Sequence, residues 1–235
     1  MGNNVIKSSL KWKNLNPFSD PPKGYVVVFT KVNDDDKFKE YASNVPGSLI
    51  AHGGRILSKV KLSADATAGG PLLSSGTTSD YDVAILMEFP SPEEATLWKA
   101  SKDYLKIEPV RMASTSGPFS VLSGTGAHTK LPHASAYFFG FVKAAGSDFS
   151  AFPEKVESTL APFEGVCFVG SIFPHKVALN EGTTGTDYDA CFVFGFPSAM
   201  KAMEWHASAE FAECRAVLEG NSTGPMVITR NFENH

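Results

Sequence analysis

Asp80-Tyr81-Asp82, Phe89-Pro90-Ser91, Trp98-Lys99-Ala100-Ser101 and Gly117-Pro118 return in the same order as Asp187-Tyr188-Asp189, Phe196-Pro197-Ser198, Trp205-His206-Ala207-Ser208 and Gly224-Pro225. The offset is 107 residues throughout, with no gap. Residues 80–120 and 187–227 share 13 identities in 41 positions, too many for chance at a fixed register, so the chain holds one folding unit twice.

Each copy reads as strand, helix, strand, strand, helix, strand. Gly24–Lys31 is β-rich and apolar at both parities, which predicts a strand buried on both faces. Phe38, Tyr41, Val45 and Leu49 follow at helical spacing behind the N-cap candidates Asn33 and Asp34; Phe149, Phe152, Val156 and Leu160 form the same stripe in the second copy. Gly53-Gly54 ends that helix, Arg55–Leu62 resumes an extended pattern, and Val83–Phe89 is the third strand. Ser91-Pro92-Glu93-Glu94 is a capping box with proline at the first helical position, and the helix it opens carries Ala95, Trp98 and Tyr104. The fourth strand follows Gly117-Pro118. The boundaries are an extended arm over 1–23, a first repeat over 24–122, a linker over 123–134 and a second, degenerate repeat over 135–235.

This order gives an antiparallel four-stranded sheet with two helices on one face. The other face is apolar and cannot be left in water. The expected fold is α+β: two ferredoxin-like βαββαβ repeats packed sheet to sheet as an intramolecular α+β barrel. Which strand parity faces inward is not fixed by the pattern. The stretch between Gly54 and Asp80, with Gly69-Gly70-Pro71 and Ser74-Ser75-Gly76, reads as a mobile surface loop, or alternatively as a lid.

Composition narrows the function classes. The net charge is −4 and no basic stripe occurs, which argues against a nucleic-acid partner. No apolar run reaches membrane-spanning length, and 1–6 lack a signal-peptide core. Cys167, Cys191 and Cys214 are an odd number confined to the second copy, which speaks against a disulfide framework and for a cytoplasmic location. The histidines form no ligand spacing and no Cys-x-x-Cys occurs, so no metal site is expected. No cofactor is expected either; for haem, His52 and His175 are the strand-adjacent axial candidates. Gly220-Asn221-Ser222-Thr223-Gly224 spells a nucleophile elbow, but it follows a helix and precedes a strand, the wrong order for one.

Gly53-Gly54-Arg55, Glu88-Phe89-Pro90-Ser91, Trp98-x-x-Ser101-x-x-Tyr104 and Arg111 resemble domain-of-unknown-function family 1330, within the dimeric α+β barrel superfamily. The resemblance is strong over 24–122 and weaker over 135–229. It implies a fused pair, a pseudo-dimer of units that otherwise associate as separate chains. The superfamily includes cofactor-free monooxygenases, cyclases, isomerases and haem proteins, so the resemblance implies a fold and no particular reaction.

The two copies differ most in polarity. With the first halves aligned at an offset of 111 and the second halves at 107, Tyr41 faces Phe152, His52 faces Phe163, Arg55 faces Val166, Glu88 faces Gly195, Tyr104 faces Phe211 and Arg111 faces Leu218. An unpaired buried charge costs several kcal/mol, so charges lost together suggest one network. Arg55, Glu88 and Arg111 are therefore expected to meet, either as a structural ion-pair cluster or as a clamp for a carboxylate or enolate, with Glu88 orienting an arginine or acting as base. Tyr41, His52, Tyr104 and Trp98 are the candidate ligand-binding residues, each with a packing or capping role as the plainer alternative. The leading expectation is a small-molecule barrel, cofactor-free, acting on a carbonyl-bearing organic ligand. A binding protein holding a hydrophobic ligand in the phenylalanine-rich second copy, or a subunit of a homo-oligomer or larger assembly, are the alternatives.

Overall fold

In β1 (Gly24–Val32), Tyr25, Val27 and Phe29 point to one side and Val26 and Val28 to the other, and all five are buried. The structure, a computed structural model, describes residues 21–144, 152–173, 177–181, 188–220 and 222–232. Residues 1–20 of the expected arm, Phe149, His175, Asp187 and Asn221 lie outside them. α1 (Asp35–Ile50) starts where the Asp34 carboxylate accepts the Lys37 N–H at 3.1 Å, and it buries Tyr41, Val45 and Leu49 against the sheet. β2 (Arg55–Lys61) and β4 (Val83–Phe89) flank a segment containing β3 (Leu73–Gly76). Ser91 caps α2 (Pro92–Lys99), accepting the Glu94 N–H at 3.2 Å. The one helix expected over Ala95, Trp98 and Tyr104 is two. Ser101 caps a new helix, α3 (Lys102–Ser114), by accepting the Tyr104 N–H at 3.2 Å, which ends α2 before it can continue. β5 (Thr115–Ser116) and β6 (Phe119–Ser123) close the first repeat. The second repeat follows with β7 (Ala136–Ala144), α4 (Phe152–Leu160), β8 (Val166–Ile172), β9 (Val177–Glu181), β10 (Ala190–Phe196), α5 (Ala199–Ala207), α6 (Ala209–Gly220), β11 (Ser222–Thr223) and β12 (Pro225–Arg230).

The strands form two antiparallel sheets, ordered β2-β4-β1-β6-β9 and β3-β12-β7-β10-β8. Each is longer than the four strands expected, because each takes its fifth strand from the other repeat. β3 pairs with β12, Leu73 opposite Ile228 and Gly76 opposite Pro225, while β9 pairs with β6. The stretch expected as a mobile loop or lid is thus partly an edge strand. Leu-Ser-Ser-Gly has no strand pattern of its own; the exposed edge of β12 supplies its hydrogen-bond partners. Gly76 sits at φ +63°, and a Cβ there would stand 1.9 Å from the Gly224 carbonyl, so glycine is needed where the chains cross.

The sheets pack face to face. Between them lies a core that mixes both repeats: Tyr25, Val27, Phe29 and Leu86 against Phe139, Phe141 and Val193. Phe29 meets the rings of Phe139 and Phe141 at 5.8 and 6.1 Å. Inward parity is therefore that of Tyr25. Burying each such side chain contributes about 1.5–3 kcal/mol, which the single repeat would forfeit in water. Separate cores lie under the helices of each repeat. Trp98 Nε1 donates to Ser48 Oγ at 3.0 Å, and Trp205 Nε1 to Thr159 Oγ1 at 2.9 Å. Lys31 pairs with Asp82 at 3.2 Å and Lys143 with Asp189 at 3.5 Å. These contacts are matched between the two repeats.

Candidate functional site

Three polar residues stand in one row across three strands. Tyr25 of β1 and Arg55 of β2 both lie opposite Glu88 of β4. Glu88 has the inward parity and is only 8% exposed. Its Oε1 accepts from Arg55 Nε at 3.2 Å and lies 3.1 Å from Arg55 Nη2, while Oε2 accepts the Tyr25 hydroxyl at 3.3 Å. Burial, and then the Glu88 charge, hold the Tyr25 phenol far above its ordinary value. The corresponding row of repeat two is Tyr137, Gly195 and Val166. A bulge falls at the same place in both repeats, at Leu57 in β2 and Phe168 in β8. In repeat two a Cβ on Gly195 would stand 2.6 Å from Cε2 of Phe168, so the aromatic ring fills the space beside the strand where repeat one carries a carboxylate.

Arg111 does not join this row, so the expected network of three is a pair. Arg111 belongs to α3, on the helix side of the sheet, whereas Glu88 points to the other side. Its guanidinium lies 5.0 Å from the centre of the Phe119 ring and 3.8 Å from Glu108 Oε1, and Glu108 also pairs with the buried Lys99. What Arg111 shares with Arg55 is a cavity. A cleft of about 390 Å³ opens between α1 and the helix face of the first sheet. Its floor is Val28, Ile56, Ile85 and Met87, and α1 roofs it with Phe38 and Leu49. Arg55, Lys59 and Arg111 border it, and among the described residues no carboxylate does. The register sets their places. Phe119, Val28, Ile85 and Lys59 form one row across four strands, about 14 Å from end to end at ~4.8 Å per strand, with Arg111 over Phe119 at one end and Lys59 at the other. In repeat two the three cations correspond to Val166, Gly170 and Leu218.

Of the remaining candidates, Tyr41 borders the cleft, with its hydroxyl 3.5 Å from that of Tyr104. Tyr104 and Trp98 are fully buried in the helix-side core and do not reach it. His52 Nδ1 lies 3.3 Å from Glu94 Oε2 in the turn after α1, also away from the cleft. The expected half-cavity among the phenylalanines of repeat two is filled: Phe138 and Phe192 stack on Phe194 at 5.5 and 5.9 Å, and all three are about 1% exposed. A second cavity, of about 360 Å³, lies on the inward side at the barrel end, where Arg55 and Glu88 meet Lys23, His128, Tyr137 and Phe168. Arg55 borders both cavities. Sequence reasoning missed Tyr25 and Lys59. Tyr25 returns as Tyr137 once β1 and β7 are aligned, and Lys59 faces Gly170 at the offset already in hand.

A family model for a domain of unknown function, DUF1330, matches residues 23–125 and again 136–232. The chain belongs to the DUF1330 family. It carries the DUF1330 unit twice, as the repeat implies. No curated protein matches it. Among solved structures, it is similar to an anthrone oxidase-like protein (11% identity, TM-score 0.45, covering 90% of this chain and 94% of that one). It is also similar to a mutant chlorite dismutase from Candidatus Nitrospira defluvii (9%, 0.43, 89% and 91%) and to a novel heme-binding protein from Thermus thermophilus (7%, 0.43, 90% and 91%). The ligands those names announce are theirs.

Among the described residues of the tandem DUF1330 chain, neither cavity offers haem a fitting site. No described histidine or cysteine borders the apolar cleft, His52 is engaged by Glu94, and His175 and His235 lie outside the described residues. His128 borders the second cavity, whose walls carry Lys23, Arg55 and Glu88 in place of the broad apolar faces a porphyrin requires. Among the described residues no group of three histidine, cysteine or acidic side chains is placed to hold a metal ion, and no helix is long and apolar enough to cross a membrane.

Proposed function

We propose that this chain binds a small apolar organic anion in the cleft under α1 of its first repeat. One observation carries the reading: an apolar floor framed by Arg55, Lys59 and Arg111 with no carboxylate of the described residues bordering it, all three cations being absent from the same positions of repeat two. Burying an anion against apolar surface is unfavourable unless fixed donors meet it, and guanidinium groups supply such donors in a planar fork. Glu88 holds Arg55 by two of its nitrogens and so sets the direction in which the remaining N–H groups point. Tyr25 fixes the other oxygen of Glu88. The cleft volume lies within the range of small-molecule sites.

Calorimetric titration with decanoate and with decanol tests this. Decanoate should bind at least tenfold more tightly than decanol, and Arg111→Leu or Arg55→Val, each importing the residue of repeat two, should remove that preference while leaving decanol unchanged. Equal affinities for the two ligands in the unaltered protein overturn the reading.

A second reading is proton transfer on a carbonyl-bearing ligand in the 360 Å³ cavity. It is favoured by the presence there of Glu88 as base beside Arg55, which would stabilise the developing enolate oxygen. Unchanged turnover of an identified substrate by Glu88→Gln and Arg55→Ala removes it.

A further inference from the structure

The cleft does not end at Lys59. A wider groove of about 780 Å³ runs on from it along β2 and the start of α1, and Phe38, Lys59 and Phe232 border both. The groove carries Lys31, Lys39, Lys59 and Lys61 against Asp35 and Asp82. Lys31 is held by Asp82, a pair repeated as Lys143 and Asp189, so it belongs to the fold. Lys39 reaches Asp36 at 3.3 Å, but both are largely in water, where such a pair is worth at most about 1 kcal/mol. Lys59 and Lys61 have no carboxylate partner among the described residues. They stand two apart on β2, hence on one face, with Cα atoms about 7 Å apart.

Lysines on an edge strand commonly serve to prevent strand pairing between molecules. β8 occupies the same edge of the second sheet, and it carries Gly170 and Ile172 at these positions. The linker covers part of the β8 edge, where the Thr125 N–H donates to the Phe168 carbonyl at 2.9 Å, so what sets Lys59 and Lys61 apart is their place beside the cleft. Two ammonium groups on one face, continuous with an apolar cleft, match a head group with more than one negative charge, and lysine meets phosphate as a point charge.

We infer that the groove is a head-group site and that the ligand is an alkyl phosphate or diphosphate whose chain lies in the cleft. This rests on the cleft reading and names its substrate class. The experiment compares decyl diphosphate, decanoate and inorganic pyrophosphate by calorimetry on the full chain, unaltered and as Lys39→Met/Lys61→Met. Both changes are at surface positions, and circular dichroism confirms the fold. Decyl diphosphate should bind at least tenfold more tightly than decanoate and a hundredfold more tightly than pyrophosphate. The double variant should lose at least fivefold in decyl diphosphate affinity with decanoate unchanged. If decanoate and decyl diphosphate bind equally, or the double variant keeps the preference, the head-group site is overturned and the cleft reading stands. If pyrophosphate binds as well as decyl diphosphate, the chain does not enter the cleft and the inference fails. If no decyl compound binds, both fall.

Discussion

The hydroxyls of Tyr81 and Tyr188 lie 2.9 Å apart, and these tyrosines are the same position of the two repeats. A residue meets its own copy only at a two-fold axis, so the bond marks the pseudo-axis of the barrel. Tyr81 packs on Phe29 at 5.9 Å and Tyr188 on Phe141 at 5.3 Å, again matched residues.

Tyr81→Phe and Tyr188→Phe should each cost about 1 kcal/mol, the net worth of one such bond. The double variant should cost little more than either single one, since both remove the same bond. Urea denaturation of the four proteins checks this; strictly additive losses would show that the hydroxyls are not coupled.

Gly195→Ala should destabilise by about 1–3 kcal/mol, because its Cβ would meet the Phe168 ring at 2.6 Å. Adding Phe168→Leu, the residue of repeat one, should recover at least about 1 kcal/mol relative to the sum of the single changes. Thermal denaturation of the singles and the double decides it.

Ser48→Ala should cost about 1–3 kcal/mol by leaving the indole N–H of fully buried Trp98 without its acceptor. Ser48→Thr, the residue that serves Trp205 in repeat two, should be tolerated far better. Denaturant midpoints of the two variants give the comparison.

The Tyr25 phenol keeps its proton in the folded protein well beyond the ordinary value of 10.0, through burial and the nearby Glu88 charge. As pH rises through 10, the unfolded chain sheds a proton that the native state retains, so unfolding free energy falls with pH. Tyr25→Phe should flatten this alkaline decline. Denaturation curves between about pH 9 and 11 measure it.

Cys167, Cys191 and Cys214 are buried, and burial pushes the Cys191 thiol well up. Cys167 and Cys191 lie on neighbouring strands but face opposite sides of the sheet, in different cores. None should react with a disulfide reagent in the native state, and all three should react on unfolding. Rapid titration of a native thiol would contradict this.

Much of this protein is written locally. The cap at Ser91, the stripe Tyr41-Val45-Leu49 and the 107-residue echo of Asp-Tyr-Asp settle element order, duplication and the need to bury one sheet face, because each depends on neighbours in sequence or on a fixed period. The pairing of Arg55 with Glu88 was also within reach, since charges lost together from one repeat imply a shared environment. Sequence alone groups Arg111 with that pair, because it records that a residue was lost and not on which side of a sheet it stood. Only the assembled fold decided that Tyr25 faces inward and completes the Glu88 row, and that a bulge carries Phe168 over Gly195. It alone placed Leu73–Gly76 as a strand in the other repeat's sheet. Those outcomes rest on hydrogen-bond partners and packing volumes contributed by residues far away in the chain, and no local pattern encodes them.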